Sequence, residues 1–256
     1  MDVARGLEDL APSDAPVFVV VGVFDGLHLG HAYLLGHLVE EAARHDARAM
    51  VITFDHHPDE VLTGTAPPLL GDPDERLSRL AAAGVDTTVV VHFDQRLRET
   101  PYDAFVAAIA ARVPVAGFLM TPDAAFGYRR GGTPEALATL GLERGFDVVV
   151  VPPFELAGTP VRSTDVRAAI GAGDLAGAAR LMGRPHGVAG QAGEETGPGC
   201  ALRFPLPVAL PPDGTYPVTV EGPAGAAVDT AVVSTGRLRL EATPPGAWVR
   251  VAFAGG

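Results

Sequence analysis

A run of apolar, mainly β-branched residues from Val17 to Phe24 limits what this chain can fold into more than any other feature. Such a run is typical of a parallel strand that is buried on both faces of a sheet. Asp25 and Gly26 predict a tight turn after it, and apolar residues at helical spacing from Leu34 predict a helix. A buried strand, a turn and a helix in this order favour an α/β fold.

Two histidines, His28 and His31, lie where the turn becomes the helix, and their spacing predicts that they face the same way. A helix N-terminus attracts phosphate through its unpaired N–H groups and its dipole. Gly30 between the histidines would let a triphosphate approach the backbone. The pattern therefore indicates a phosphate site. Histidines that only cap the helix remain an alternative, and so does a metal pair, although the sequence has no H-E-x-x-H motif.

The stretch from Gly22 to His31 resembles the G-N-F-D-G-x-H-x-G-H signature of bacterial FAD synthetases, which belong to the H-x-G-H nucleotidyltransferase superfamily. Members of that family join an FMN adenylyltransferase domain to a C-terminal riboflavin kinase domain. The resemblance implies that His28 and His31 are catalytic. It implies ATP binding for Gly22, Phe24, Asp25, Gly26 and Gly30.

The amino-acid composition excludes several kinds of binding partner and site for this protein. The formal net charge of -12 argues against a nucleic-acid or anionic-membrane surface. All 19 cationic residues are arginine, which excludes a P-loop lysine. A single cysteine, Cys200, excludes an intrachain disulfide, and residues 1–16 lack the pattern of a signal peptide. We expect a cytoplasmic protein without nucleic-acid or membrane partners; its oligomeric state is not predicted.

Strands and helices alternate along the first part of the chain, which predicts a Rossmann-like, five-stranded parallel sheet. After the first strand, the predicted strands are Ala47–Phe54, Asp86–Phe93, Val115–Met120 and Asp147–Val151, and further helices are predicted at Asp72–Ala83, Pro101–Arg112 and Pro134–Arg144.

Two loops after predicted strands resemble motifs of the same family. Thr53 to Glu60 resembles T-F-(D/E)-P-H-P-x-E, with His56 in place of a proline, and Thr121 to Gly132 resembles G-x-D-F-x-F-G-x-x-R-x-G, with Ala124 in place of a phenylalanine. From the residues alone, the first loop could be braced by its own side chains, and the arginine pair 129–130 could be solvated. The resemblance implies contacts to the flavin acceptor for Asp55, His57, Asp123, Phe126 and Arg130.

A second anion site is predicted at Ser163, Thr164 and Arg167, where a hydroxyl is expected to cap a helix. An ordinary cap with a salt-bridged arginine is the alternative. The segment resembles the family's I-S-S-T-x-I-R motif, which grips the β- and γ-phosphates of ATP. Arg162 stands where the first serine is expected, and we assign it to the acceptor side.

After His186 the composition changes to Pro, Gly, Val and Thr with short apolar runs, which predicts a small β barrel or sandwich. We therefore expect a nucleotidyltransferase domain at residues 1–186 and a β domain at 187–256. The family's kinase domain opens with G-F-P-T-A-N, whereas Leu206 and Val208 stand here where that motif has its hydroxyl and amide. The shortened β domain is expected to be a degenerate riboflavin kinase.

The resemblance thus implies transfer of AMP from ATP, with Mg2+, to FMN, giving FAD and pyrophosphate without riboflavin kinase activity. Val23, Ala124 and Arg162 depart from the family near the acceptor. A different phosphorylated acceptor, CTP as donor, or a non-catalytic flavin or nucleotide binder are the alternatives.

Overall fold

The structure, a computed structural model, describes residues 1–194 and 199–254, so residues 195–198 and 255–256 of the predicted β domain lie outside it. Packing divides the chain into two units. The first comprises Met1–Phe24, Gly30–Pro67 and Leu77–Phe154, and the second comprises Asp25–Leu29, Pro68–Arg76 and Glu155–Gly256. These packing units differ from the expected domains 1–186 and 187–256, whose boundary stays a prediction.

The first unit contains a parallel sheet, which has six strands within the described residues. The prediction of five was one short, because the three residues of β1 are too few to show a pattern; β1 pairs with β4. The strands are β1 (Asp2–Ala4), β2 (Val17–Val21), β3 (Arg48–Phe54), β4 (Thr87–Val91), β5 (Val115–Met120) and β6 (Asp147–Val150), in the order β1-β4-β3-β2-β5-β6.

Helices cover both faces of this sheet. Val17 and Val19 of β2 pack in one cluster with Ile109, whereas Phe18, on the opposite face, lies 4.9 Å from the ring of His45. The strand order reverses at β2 and β5, the point at which open α/β sheets bind ligands. The helices are α1 (Leu29–Arg44), α2 (Pro58–Thr63), α3 (Pro73–Ala82), α4 (Gln95–Arg98), α5 (Tyr102–Ala110) and α6 (Pro134–Arg144).

The second unit contains a closed barrel, so the predicted barrel or sandwich is a barrel. Apolar side chains such as Val220, Leu238 and Phe253 are buried in one cluster. The short hairpin β7 (Glu155–Leu156) and β8 (Thr159–Pro160) precedes α7 (Ser163–Gly171) and α8 (Leu175–Met182). The barrel strands are β9 (Gly187–Gly193), β10 (Cys200–Arg203), β11 (Gly214–Gly222), β12 (Gly225–Ser234), β13 (Arg237–Leu240) and β14 (Trp248–Phe253).

Distant segments meet inside this second unit. The backbone N–H of Leu69 donates to the carbonyl of Pro207 at 2.9 Å, and the N–H of Ala209 donates to the carbonyl of Leu69 at 2.8 Å. Leu70 is buried with Val166 of α7 and with Ala209. The residues just before the barrel strand β11 are therefore tied to a segment that precedes α3.

None of the helices within residues 1–194 and 199–254 combines the length and apolar character needed to cross a bilayer.

Candidate active site

His28 lies between a short 3-10 turn, Asp25–Leu27, and the start of α1, and its side chain is almost fully buried. Its Nε2 atom is 3.2 Å from Oγ of Ser163, the first residue of α7. Two residues that the sequence predicts as phosphate ligands from separate stretches therefore meet in space. This contact brings an imidazole and a hydroxyl to one helix N-terminus.

Burial, together with the nearby guanidinium groups of Arg184 and Arg167, lowers the pKa of His28 to about 4. Asp165 acts in the opposite direction but does not compensate. The imidazole is therefore neutral at pH 7, with one ring nitrogen as donor and the other as acceptor. A bound polyphosphate would add negative charge beside it and favour its protonation.

Asp25 forms a buried ion pair with Arg167 and also binds a backbone N–H group. Both of its carboxylate oxygens accept from the N–H of Leu70 at 3.0 Å, and Oδ2 also accepts from Nη2 of Arg167 at 2.5 Å. Arg167 donates a further bond from Nε to the carbonyl of Pro68 at 2.8 Å. Asp25 and Arg167 thus hold the turn and the 68–70 segment together, while their contact to ATP stays a prediction.

Arg184 supports the same turn and was not predicted as a site residue. Its Nη2 donates to the carbonyl of Gly26 at 2.5 Å, and its Nη1 donates to the carbonyl of Leu27 at 3.1 Å. The only signal in the sequence is the segment Gly183-Arg184-Pro185-His186, which resembles a G-R-P-aromatic hinge of the FAD synthetase family. We name the set Asp25, His28, Ser163, Arg167 and Arg184 the His28 cluster.

The predicted cap of α7 was wrong. Arg162, not Ser163 or Thr164, occupies the N-cap position, and its backbone N–H donates to Oδ2 of Asp165 at 3.1 Å. The Ser163 hydroxyl lies against His28 instead. Ser163 and Thr164 both lie in the first turn, where N–H groups and the helix dipole favour an anion.

In the first unit, His31 lies in the first turn of α1 and is partly buried. Its ring is 5.1 Å from the ring of Phe24, at an angle of 50°. Phe24 itself is buried, so its contact orients the imidazole from one side. Gly30 precedes His31 in the same helix.

A cavity of about 690 Å³ in the first unit adjoins the carboxyl ends of β2, β3 and β5. We call it the strand-end cavity. Its lining is mainly apolar and includes Arg98, Phe93 and Tyr128, which the sequence analysis did not single out. Of the residues discussed above, Gly22, Val23, His57, Ala124, Phe126 and Arg130 line it.

Asp55 and Asp123 do not line this cavity. Oδ2 of Asp55 accepts from Nδ1 of His92 at 2.6 Å. Oδ1 of Asp123 accepts from Oγ1 of Thr121 at 2.9 Å, and its backbone carbonyl accepts from Nη2 of Arg130 at 2.8 Å. Both aspartates brace loops, and Arg162 belongs to the second unit. Direct acceptor contacts by these three residues stay a prediction.

The parallel α/β sheet of the first unit and the match to a family model place the chain among the α/β nucleotidyltransferases. The family model described as FAD synthetase matches residues 10–165. The chain belongs to the FAD synthetase family and is an enzyme of the FMN adenylyltransferase type.

Three known proteins illustrate the relationship. A bifunctional riboflavin kinase/FMN adenylyltransferase from Pseudomonas fluorescens is 33% identical over 262 residues, covering 94% of this chain and 82% of the relative. The protein of the same description from Escherichia coli K12 is 33% identical over 232 residues, covering 87% and 74%. A crystal structure described as a macrolide-efflux protein from Streptococcus pneumoniae superposes with a TM-score of 0.80 at 25% identity, covering 98% of this chain and 88% of that one.

Proposed function

We propose that this protein transfers AMP from MgATP to FMN and releases FAD and pyrophosphate. A phosphate oxygen of FMN attacks the α-phosphorus of ATP, and the bond from that phosphorus to the β-phosphate oxygen breaks. The electron pair leaves with pyrophosphate. No covalent intermediate with the enzyme is needed, so catalysis consists of positioning and charge stabilisation.

The contact between His28 and Ser163 carries this proposal. A neutral, buried imidazole next to a hydroxyl at a helix N-terminus provides hydrogen-bond donors for phosphate oxygens. Arg167 and Arg184 supply positive potential from within hydrogen-bonding networks that hold them in place. In this role, His28 and His31 stabilise the charge that develops at the α-phosphate, and Ser163, Thr164 and Arg167 hold the departing pyrophosphate.

The strand-end cavity supports a flavin as the acceptor. A planar ring system suits its apolar lining, and Phe126 is fixed by ring contacts of 5.6 Å to Phe105 and 5.9 Å to Phe118. Arg98 and Arg130 also line the cavity and offer guanidinium groups to an acceptor phosphate. The imidazole of His57 is held in place because its Nδ1 accepts a hydrogen bond from the backbone N–H of Asp59 at 3.2 Å.

Mg2+ fits this proposal as part of the substrate. The carboxylate in the His28 cluster, Asp25, is already engaged by Arg167 and Leu70. Mg2+ is commonly bound through substrate phosphates and water rather than by a complete protein cage. We therefore propose that the ion enters as MgATP, coordinated by the phosphates, where it neutralises charge on the leaving group.

Loss of riboflavin kinase activity is the second part of the proposal. Leu206 and Val208 offer only main-chain polar groups where the family motif has a hydroxyl and an amide. The main chain around them is engaged, because Val208 forms a β-bridge with Leu69. Within the described residues, the barrel interior consists of packed apolar side chains. The barrel thus serves as a structural module.

One incubation separates these possibilities. Purified protein is mixed with MgATP and FMN, with riboflavin in a parallel tube, and the products are resolved by chromatography. FAD from FMN and no FMN from riboflavin is the expected result. FMN formed from riboflavin would contradict the loss of the kinase. No nucleotidyl transfer to FMN, either with MgATP or in a further tube with CTP in its place, would favour a non-catalytic binder.

The second candidate function is AMP transfer to a phosphorylated acceptor other than FMN, and one observation favours it. Val23 and Ala124, two of the departures from the family, both line the strand-end cavity and so alter its shape. Retention of FMN on the purified protein, seen as a flavin absorption spectrum, would argue against another acceptor. AMP transfer to another phosphorylated compound, but not to FMN, would establish one.

The two histidines are tested by substitution. His28→Ala and His31→Ala are each expected to lower turnover by orders of magnitude while the circular dichroism spectrum is kept, because each removes a donor to the transition state. His37→Ala, on α1 outside the described site, is the matched control and should retain activity. Unchanged turnover in His31→Ala would reject its catalytic role.

A further inference from the structure

Two histidines and an aspartate cluster beyond the ends of β3 and β4, outside the strand-end cavity. One ligand atom from each of Asp55, His56 and His92 lies within 4.8 Å of the other two. Oδ2 of Asp55 is 2.6 Å from Nδ1 of His92, and Oδ1 is 3.2 Å from Nδ1 of His56. The rings of His56 and His92 are 5.9 Å apart and nearly perpendicular.

The donor set identifies the type of ligand. Two imidazoles and one carboxylate match the ligand sets of Zn2+ and similar divalent transition metals, whereas Mg2+ prefers oxygen alone. Ligand atoms around tetrahedral zinc lie about 3.3 Å apart, as follows from bonds near 2 Å. Small side-chain rotations would bring the three atoms to that spacing. His56 and His92 are exposed enough to rotate.

We propose that Asp55, His56 and His92 form a binding site for a divalent transition metal, represented by Zn2+, with a fourth position open to water. His56 is the residue that departs from the proline of the family-like motif, so this donor is a property of this chain. The site is distinct from the His28 cluster and does not depend on the proposed function.

The site would link two loops that contribute to the strand-end cavity. Phe54 and His57 flank Asp55 and His56 in sequence, Phe93 follows His92, and all three line that cavity. A metal held by both loops would restrain the wall that these side chains form. The carboxylate of Asp55 already accepts from the N–H groups of His56 and Phe93, which pre-positions it.

The experiment is a titration of the full chain, freed of any affinity tag and of bound metal, with ZnCl2 by calorimetry in the presence of excess Mg2+. Co2+ is titrated in parallel as a spectroscopic probe of nitrogen and oxygen ligation. The wild type, His56→Pro, His92→Ala and His37→Ala are compared. His37 is the control because it is a partly exposed histidine that is paired with Glu40 at 3.7 Å and has no part in the cluster.

We expect one equivalent of Zn2+ to bind the wild type and His37→Ala with the same affinity. His56→Pro and His92→Ala should each weaken that event by about tenfold or more, because each loses a direct ligand. The Co2+ absorption of the site should disappear in both. Thermal melting in the absence of metal checks that the variants are folded. An absent saturable event, or one that survives both substitutions in folded protein, would overturn the proposal.

Discussion

Burial of a histidine has a measurable consequence at residue 186. Its Nε2 donates to the carbonyl of Ala209 at 2.8 Å, and its ring stacks on Phe253 with centroids 5.7 Å apart. The histidine thus takes the place of the aromatic residue in the family-like Gly-Arg-Pro-aromatic segment. Desolvation lowers the pKa of His186 to about 4, although the bond to Ala209 opposes the shift.

This shift predicts acid sensitivity. In the unfolded chain the pKa of His186 is near 6.5, so between pH 6.5 and 4 the unfolded state binds more protons and the free energy of unfolding decreases as the pH falls. The contribution of this residue to that decrease between pH 7 and pH 5 is about 2 kcal/mol.

His186→Phe isolates the effect. At pH 7 the variant should be less stable than the wild type, by about 1 to 3 kcal/mol, because it loses the hydrogen bond to Ala209. At pH 5 the difference should narrow, since phenylalanine does not titrate. Urea unfolding at pH 7 and at pH 5 measures the difference in free energy of unfolding between the variant and the wild type. If this difference is the same at both pH values, His186 does not cause the acid sensitivity.

Ser163 gives a second prediction at this scale. Ser163→Ala should lower kcat/KM for adenylyl transfer by about 10²-fold, because it removes a donor near developing charge and the partner of His28. Ser234→Ala, at an exposed position at the end of β12, is the matched control. Equal rates in the two variants would remove Ser163 from the mechanism.

At the scale of elements, the turn between β2 and α1 depends on its glycine. Gly26 has φ of 71°, and a Cβ built there would lie 2.6 Å from Cβ of Leu70. Both the backbone conformation and the close approach of the 68–70 segment therefore require glycine. The carbonyl of Gly26 also accepts from Arg184, so a shift of the turn would disturb the His28 cluster.

A pair of glycine substitutions tests this requirement. Gly26→Ala should lower the free energy of unfolding by more than about 1 kcal/mol, because alanine is strained at this φ and meets Leu70. Gly36→Ala, inside α1 with nothing within 4 Å of a built Cβ, should raise it by about 0.5 to 1 kcal/mol. Chemical denaturation measures the free energy of unfolding of both variants. Similar changes in the two would show that the turn does not require glycine at position 26.

Elements with strong periodicity were predictable, and those without it were not. The apolar runs of β2 to β6 and the apolar spacing of α5 and α6 could be recognised in the sequence. The barrel strand β9 was missed because its sequence, Gly187 to Gly193, lacks large apolar residues. Its glycines have a packing reason, since a Cβ at Gly190 would lie 2.7 Å from the carbonyl of Arg203. Such long-range constraints leave no periodic signal.

At the scale of the whole molecule, the motifs predicted which stretches carry function but not how their side chains are used. His28 and Ser163 were both identified, and their contact could not be, because 135 positions separate them. Arg167 was predicted as a phosphate ligand, whereas the structure also engages it with Asp25 and Pro68. The backbone carbonyl that each arginine binds is determined by tertiary packing, and the spacing of residues in the sequence does not reveal it.

Removal of the barrel tests the expected boundary at His186. A chain ending there lacks Pro207 and Ala209, which pair with Leu69, and the carbonyl that His186 requires. We expect at least a tenfold loss of adenylyl transfer and a lower melting temperature, measured by product formation and by calorimetry. Full activity in the shortened chain would show that residues 1–186 function alone.

The discontinuous makeup of the second packing unit has a consequence for biosynthesis. Its members come from near residue 25, from near residue 70 and from residue 155 onward. During translation the imidazole of His28 leaves the ribosome long before its neighbours Ser163 and Arg184 exist. The surroundings that hold this imidazole neutral can therefore form only after residue 184 has emerged, which makes acquisition of this environment a late event in folding.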